Sequence, residues 1–194
     1  MFNTKQSAIH PYATRADFCR IFESDMNRLY LLCYLLTADH GMAEECFVRG
    51  LEDTTGGNRV FRDWVESWAR RTIIHNAIQL VRPRPSDNNV SNSRVQPDAK
   101  DPAPISAVVE LPAFERFVFV MSVLERQSVR ECSLLLGCGR EDVAAARIRA
   151  LQKIGAIAQR FKESENIGSS ESACRTRGGS SRRTGVEARL VASA

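Results

Sequence analysis

Six of the seven prolines in this chain lie between Pro83 and Pro112, among Ser, Asn and Asp, with almost no apolar periodicity before Ile105. Proline fixes φ, removes a backbone donor and pushes the preceding residue out of the helical region. A stretch so rich in it favours extended, solvated backbone. Residues 83–109 therefore read as a linker. It divides the 194 residues into a module near 14–82, a second near 110–163 and a remainder, 164–194, rich in Ser, Gly and Arg. That remainder has few large apolar side chains and reads as a disordered tail. Hydrophobic residues are 43% of the chain, enough for packed cores outside linker and tail.

Both modules read as helical. In the first, Phe18, Ile21, Phe22, Met26, Leu29, Leu32, Cys33 and Leu36 recur every three or four residues, which predicts one long helix ending near Asp39-His40-Gly41. A shorter helix is expected from about Met42 to Leu51, followed by a turn cluster, Asp53 to Asn58. A third runs from about Val60 to Val81, with Phe61, Trp64, Val65, Trp68, Ile73, Ala77 and Leu80 as its apolar set. The two tryptophans, one turn apart, read as core anchors rather than as bare stacking platforms. No segment alternates with period two, so the expected fold class is all-α, two small helical domains joined by a Pro-rich linker.

The second module opens at Leu111-Pro112, with proline suited to the first helical turn, and continues through Phe114, Phe117, Val118, Met121 and Leu124. Ser128-Val129-Arg130-Glu131 has the form of a capping box: the serine caps backbone N–H groups while the glutamate reaches back. The short helix it starts stops at Gly137, which can adopt the positive φ of a tight turn. A longer helix follows from about Arg140 to Phe161, with Val143, Ala150, Ile154, Ile157 and Phe161 facing inward. Short capped helix, glycine turn, longer helix is the helix-turn-helix pattern.

Charge agrees with that placement. Residues 1–82 carry ten basic and ten acidic side chains, whereas 111–163 carry nine against six, so the net +4 comes from the C-terminal half. Arg140, Arg147, Arg149 and Lys153 on the last helix are the main local source, and arginine pairs with phosphates or guanine edges. The tail's Arg175, Arg177, Arg182 and Arg183 add either weak, salt-sensitive DNA affinity or an inert solvated segment. Six cysteines without a C-x-x-C pair read as reduced, small hydrophobes, and His10, His40 and His75 lack ligand spacing, which argues against zinc. No secretory signal is expected at Met1–Tyr12, and Leu29–Leu36 is far too short to span a bilayer, so the expected location is the cytoplasm. No nucleophile–base pair, phosphate-cradling loop or metal cluster points to an enzyme or a cofactor.

The order of these parts resembles the extracytoplasmic-function type of RNA polymerase sigma factor over most of residues 16–158. Leu111-Pro112 through Arg116-Phe117-Val118-Phe119, then Glu131-Cys132-Ser133 and Leu136-Gly137-Cys138, is similar to a family segment that continues through Val143 and Arg149-Ala150. In the first module, Ala43-Glu44-Glu45 resembles an acidic polymerase-binding motif, and Phe61-Arg62-Asp63-Trp64-Val65 with Ala69-Arg70 resembles the strand-binding helix. The departures are Val48 in place of a glutamine, Arg49-Gly50 in place of acidic and apolar residues, and Ala144-Ala145-Ala146 in place of a Lys-Ser-Arg set.

The resemblance implies a promoter-recognition subunit that binds core RNA polymerase and promoter DNA, with an anti-sigma factor as a further partner it allows. Ala43, Glu44, Glu45, Val48 and Leu51 would meet the polymerase, although from chemistry alone Glu44-Glu45 is equally a solvated helix face. Arg59, Arg70, Arg71, His75, Asn76 and Gln79 would hold the opened downstream element. Arg140, Ala144, Ala145, Arg147, Arg149 and Lys153 would read the upstream element, with the alanines able to touch a thymine methyl but not to hydrogen-bond a base. The alternative is a stand-alone helix-turn-helix regulator whose N-terminal module binds a protein partner.

Overall fold

A computed structural model describes residues 11–56, 59–85 and 103–175, with side chains from 104 to 159 in the last span. Among these residues there are eight α-helices and no strand beyond one isolated bridge between Tyr12 and Phe61. The helices are α1 (Arg15–Ser24), α2 (Met26–Thr37), α3 (His40–Thr55), α4 (Val65–Val81), α5 (Ala103–Val109), α6 (Ala113–Phe119), α7 (Val129–Leu136) and α8 (Arg140–Arg175). None of the described helices is long and apolar enough to cross a membrane.

The single long helix expected over Phe18–Leu36 is instead α1 and α2, divided at Asp25. Asp25 closes α1 by donating its N–H to Ile21 and opens α2 by accepting from the Leu29 N–H at 2.9 Å. A one-residue joint leaves the apolar period unbroken, so periodicity passes straight over it. Helix α2 buries every residue from Leu32 to Thr37, the pattern of a helix surrounded on all sides. It ends at Ala38 in the left-handed region (φ 58°), and Asp39 then caps α3 by accepting from the Met42 N–H at 2.8 Å. Helix α3 extends through Thr55, past the expected stop, and there Thr54 and Thr55 turn their hydroxyls back onto the Gly50 and Leu51 carbonyls at 2.9 Å.

Packing of α3 on α4 is close. A Cβ on Gly50 would stand 3.0 Å from Ile73 Cγ1, and the Cys46 thiol donates to the Ile73 carbonyl at 3.5 Å. The inward arc of α4 is Val65, Ala69, Ile73, Ile74 and Ala77. Trp64 and Trp68 lie one step round the helix from Val65 and Ala69. They are 64% and 36% exposed, and Phe61 is exposed as well. The expectation that the tryptophans anchor the core is thereby overturned.

Residues 103–109, expected to be linker, form α5, with Ala107, Val108 and Val109 buried. Pro104 sits in the first turn, where its missing N–H costs nothing. Residues 86–102 lie outside the described residues. Helix α6 continues through a π-helical turn, Val120–Leu124, and Phe114 to Ser122 are all buried.

Met1–Ala158 form one compact unit, Gln159–Ala194 another. Within the first, the two expected modules share one core, in which Leu29, Leu36, Ile73 and Ala77 pack in a cluster with Phe117, Val118, Met121 and Val143. Arg116 ties it together. Its buried guanidinium donates to the carbonyls of Leu36 (3.2 Å) and Thr37 (3.3 Å) at the end of α2, and of Val109 (3.3 Å) and Leu111 (3.0 Å). Burial pulls its pKa down to about 10. The end of α2 has carbonyls that no helical N–H can satisfy, and a five-donor fork is suited to them.

Helix α8 carries on through residues 164–175, which the composition placed in a disordered tail; Leu151 to Glu165 are mostly good helix formers. Val143 and Ala150 are fully buried and Ile154 and Ile157 half-buried, as expected, while the side chains of Phe161 and Arg175, together with Arg177, Arg182 and Arg183, lie outside the described residues.

Candidate nucleic-acid interface

The Ser128–Glu131 capping box is formed: the Glu131 N–H donates to Ser128 Oγ at 3.2 Å, and Glu131 Oε2 accepts from the Ser128 N–H at 2.8 Å. The Ser128 N–H and hydroxyl, both donating to that carboxylate at 2.8 Å, hold the Glu131 carboxyl below its ordinary pKa. Helix α7 ends at Gly137 with φ 64°, and the Ser133 hydroxyl donates across the turn to the Cys138 carbonyl at 2.6 Å. Cys132 is fully buried where α7 meets the core, and burial pushes its thiol up to about 11.

On α8 the six predicted DNA-facing residues fall into two groups. Arg140, Ala144, Ala145 and Arg147 are exposed. Arg149 and Lys153 are committed elsewhere. Arg149 Nε and Lys153 Nζ stand 2.8 and 2.7 Å from the two carboxylate oxygens of Glu115, which is 1% exposed. Two cations around one buried carboxylate satisfy it and fasten α8 to α6. The outer face also carries Ile148 and Leu151, both exposed, with Glu141 and Asp142 beside Arg140. Its positive charge is thus concentrated at Arg140 and Arg147.

The second surface is built on α4 and the turn that leads into it. Residues 11–13 pair with 60–62, the Ala13 N–H donating to Val60 at 2.7 Å and the Arg62 N–H to Pro11 at 3.0 Å. Asp17 secures both sides: it forms the capping box of α1 with Thr14 and accepts from Arg62 Nη2 at 3.1 Å. Its bonds from Thr14, then the Arg62 charge, hold its carboxyl down to about 2. This frame presents aromatic rings outward. Tyr12 stacks on Phe61 at 5.1 Å, Phe61 meets Trp64 edge-on at 5.6 Å, and the Arg59 guanidinium lies 6.0 Å over the Tyr12 ring.

Of the residues expected to hold the opened strand, Arg59, Arg71, His75 and Gln79 are exposed. Arg71, His75 and Gln79 fall four residues apart on one face of α4, with the His75 ring 2.8 Å from the Gln79 amide. Asn76 is buried instead, and its amide donates to Asp53 at 2.9 Å, closing the end of α3 onto α4. Arg70 is half-buried and paired with Glu125 at 3.0 Å and Glu66 at 3.4 Å. On α3, Glu44, Glu45 and Val48 are exposed side by side, and Glu45 pairs with Arg49. Ala43 is wholly buried and Leu51 half-buried, so the outer face of that helix is acidic with one apolar side chain.

Tyr12, Phe61, Trp64 and Trp68 were absent from the residues predicted to touch a ligand. The signal was present in the spacing: Val65, Ala69, Ile73 and Ala77 repeat every four residues and suffice as an inward arc, which leaves the tryptophans beside it. Among the described residues no group of three or more His, Cys, Asp or Glu is arranged to hold a metal. No family model matches the chain, and no curated protein matches it.

Proposed function

We propose that the chain is a sigma-type transcription initiation subunit, which binds core RNA polymerase and directs it to promoter DNA. The observation that carries this reading is the outward strip of Phe61, Trp64 and Trp68 flanked by Arg59 and Arg71. Stacking rings supply affinity for unpaired bases whatever their sequence, and arginines supply the phosphate attraction. A protein that only gripped duplex DNA would have no use for exposed indoles. The acidic outer face of α3 gives the polymerase a separate contact, at Glu44, Glu45 and Val48.

Helices α7 and α8 act in this reading as a helix-turn-helix with reduced base readout. Ala144 and Ala145 offer only methyl contacts, while Arg140 and Arg147 serve phosphates. Arg149 and Lys153 leave the set of readers, because Glu115 holds them. No covalent chemistry is assigned to the chain. Promoter choice then depends more on the opened strand than on the upstream duplex.

The second reading, a stand-alone regulator with a protein partner, is favoured by exposed Ile148 and Leu151 on α8, where a groove-reading helix carries polar groups. A pull-down with purified core polymerase separates the two. The sigma-type reading expects stoichiometric capture that falls when Glu44 and Glu45 are both changed to lysine; a regulator is not captured at all.

A further inference from the structure

From Arg149 to Ala158, α8 reads Arg-Ala-Leu-Gln-Lys-Ile-Gly-Ala-Ile-Ala, and Glu115 holds two of its three polar side chains. A helix that is apolar around most of its circumference is ordinarily enclosed on more than one side. Here the core encloses one side: Val143, Ala146 and Ala150 are fully buried, and Ile154 packs against the same cluster. A second apolar stripe is uncovered. Ala144, Ile148, Leu151, Gly155 and Ala158 are all exposed, Ile148 at 57% and Leu151 at 46%, and all five lie in the compact unit Met1–Ala158.

The stripe has the spacing of a helix–helix seam. Its members are four, three, four and three residues apart, the repeat that keeps one face of a helix against another. In size it complements its own reverse. Laid antiparallel about a two-fold axis at Leu151, Ala144 meets Ala158, Leu151 meets its own copy, and Ile148 meets Gly155. Gly155 has the room for a branched side chain, because a Cβ there would touch nothing within 4 Å. Charge selects the same direction. A parallel pair sets Glu141, one heptad before Ile148, against its own copy and leaves a gap where glycine faces glycine. The antiparallel pair carries Glu141 past the end of the seam and sets Arg147 opposite Ile154, where its methylene stem rests on apolar surface.

We propose that α8 pairs antiparallel with α8 of a second copy of this chain, through Ala144, Ile148, Leu151, Gly155 and Ala158. A two-fold axis lets one patch serve both copies. The seam covers about 21 Å of helix, which places the pair among weak, reversible associations rather than obligate dimers. Ala144 lies in the seam and Arg147 borders it, so a paired α8 withholds both from duplex DNA. The pairing stands on these residues alone and depends on neither functional reading.

The test is analytical ultracentrifugation of the full chain from about 1 to about 300 µM. Expected is a concentration-dependent rise from one chain mass to two. Leu151→Lys should weaken the association about a hundredfold, since the axis applies the change twice. Its far-UV circular dichroism should match the parent, because Leu151 already faces solvent in the single chain. Ala144→Glu combined with Ala158→Lys decides the direction. Antiparallel pairing sets each new carboxylate against a new ammonium and keeps the dimer, whereas parallel pairing sets like charges together. A chain that stays monomeric throughout overturns the proposal and assigns the stripe to another protein or to residues 176–194. So does a dimer that Leu151→Lys leaves intact, or one that the double variant abolishes. A dimer with the expected responses, in a chain that captures no polymerase, supports the pairing all the same.

Discussion

Replacing Arg116 with methionine should cost about 3 kcal/mol of stability, and the figure follows from the environment of the guanidinium. The side chain is 5% exposed and donates four hydrogen bonds, all to main-chain carbonyls. Bonds from a charged donor contribute about 1.5 kcal/mol each at the low end. Against them stands the cost of burying the charge. The fall in pKa from 12.5 to about 10 corresponds, at about 1.4 kcal/mol per unit, to roughly 3.5 kcal/mol. Methionine fills similar space and removes the burial cost, but leaves the Leu36, Thr37, Val109 and Leu111 carbonyls without their donor. Urea denaturation followed by circular dichroism measures the difference. With a slope of about 2 kcal/mol per molar, the midpoint should fall by about 1.5 M. Arg116→Lys should fall in between, since an ammonium cannot reach four carbonyls as a fork does. A methionine variant within about 0.3 M of the parent would refute the clamp and with it the view that Arg116 couples α2 to α5 and α6.

Three further outcomes follow from single groups. Glu115→Gln should destabilise by about 2 kcal/mol in the same urea assay, less than a fully buried triad because Arg149 and Lys153 are partly exposed and water recovers them. Gly137→Ala should cost about 1 kcal/mol of melting free energy, wholly through its φ of 64°, since a Cβ there would touch nothing within 4 Å. The Asp17 carboxyl, held at about 2 by Thr14 and then Arg62 against an ordinary 3.8, favours folding while ionised. Its contribution is complete above about pH 4 and disappears as pH falls through 2, so Asp17→Asn should flatten the melting temperature across that window. An unchanged acid limb in the variant would discount Asp17 as its source.

What the sequence disclosed and what it concealed divide along the range of the interactions. The capping box at Ser128 and Glu131 and the turn at Gly137 depend on residues within a few positions of each other, and both are formed as expected. The joint at Asp25 escaped because one residue with a non-helical backbone (φ −109°, ψ 19°) leaves the apolar periodicity uninterrupted. Helix α5 escaped because its prolines and polar neighbours outweighed the short apolar run Ile105 to Val109. Arg149 and Lys153 looked like free cations because the carboxylate that holds them is 34 and 38 residues away. The exposure of Trp64 and Trp68 was legible only in the four-residue repeat of Val65, Ala69, Ile73 and Ala77, which already fills the inward arc of α4. Size alone argued the opposite way.

The sigma-type reading rests on polymerase being directed to discrete sites. The measurement that tests it most directly is in vitro transcription with purified core polymerase, this chain and mixed genomic fragments. Reproducible starts are expected at a limited set of positions, lost when Trp64 and Trp68 are both replaced by alanine in a chain that still captures polymerase. Transcription indistinguishable from core polymerase alone would contradict it.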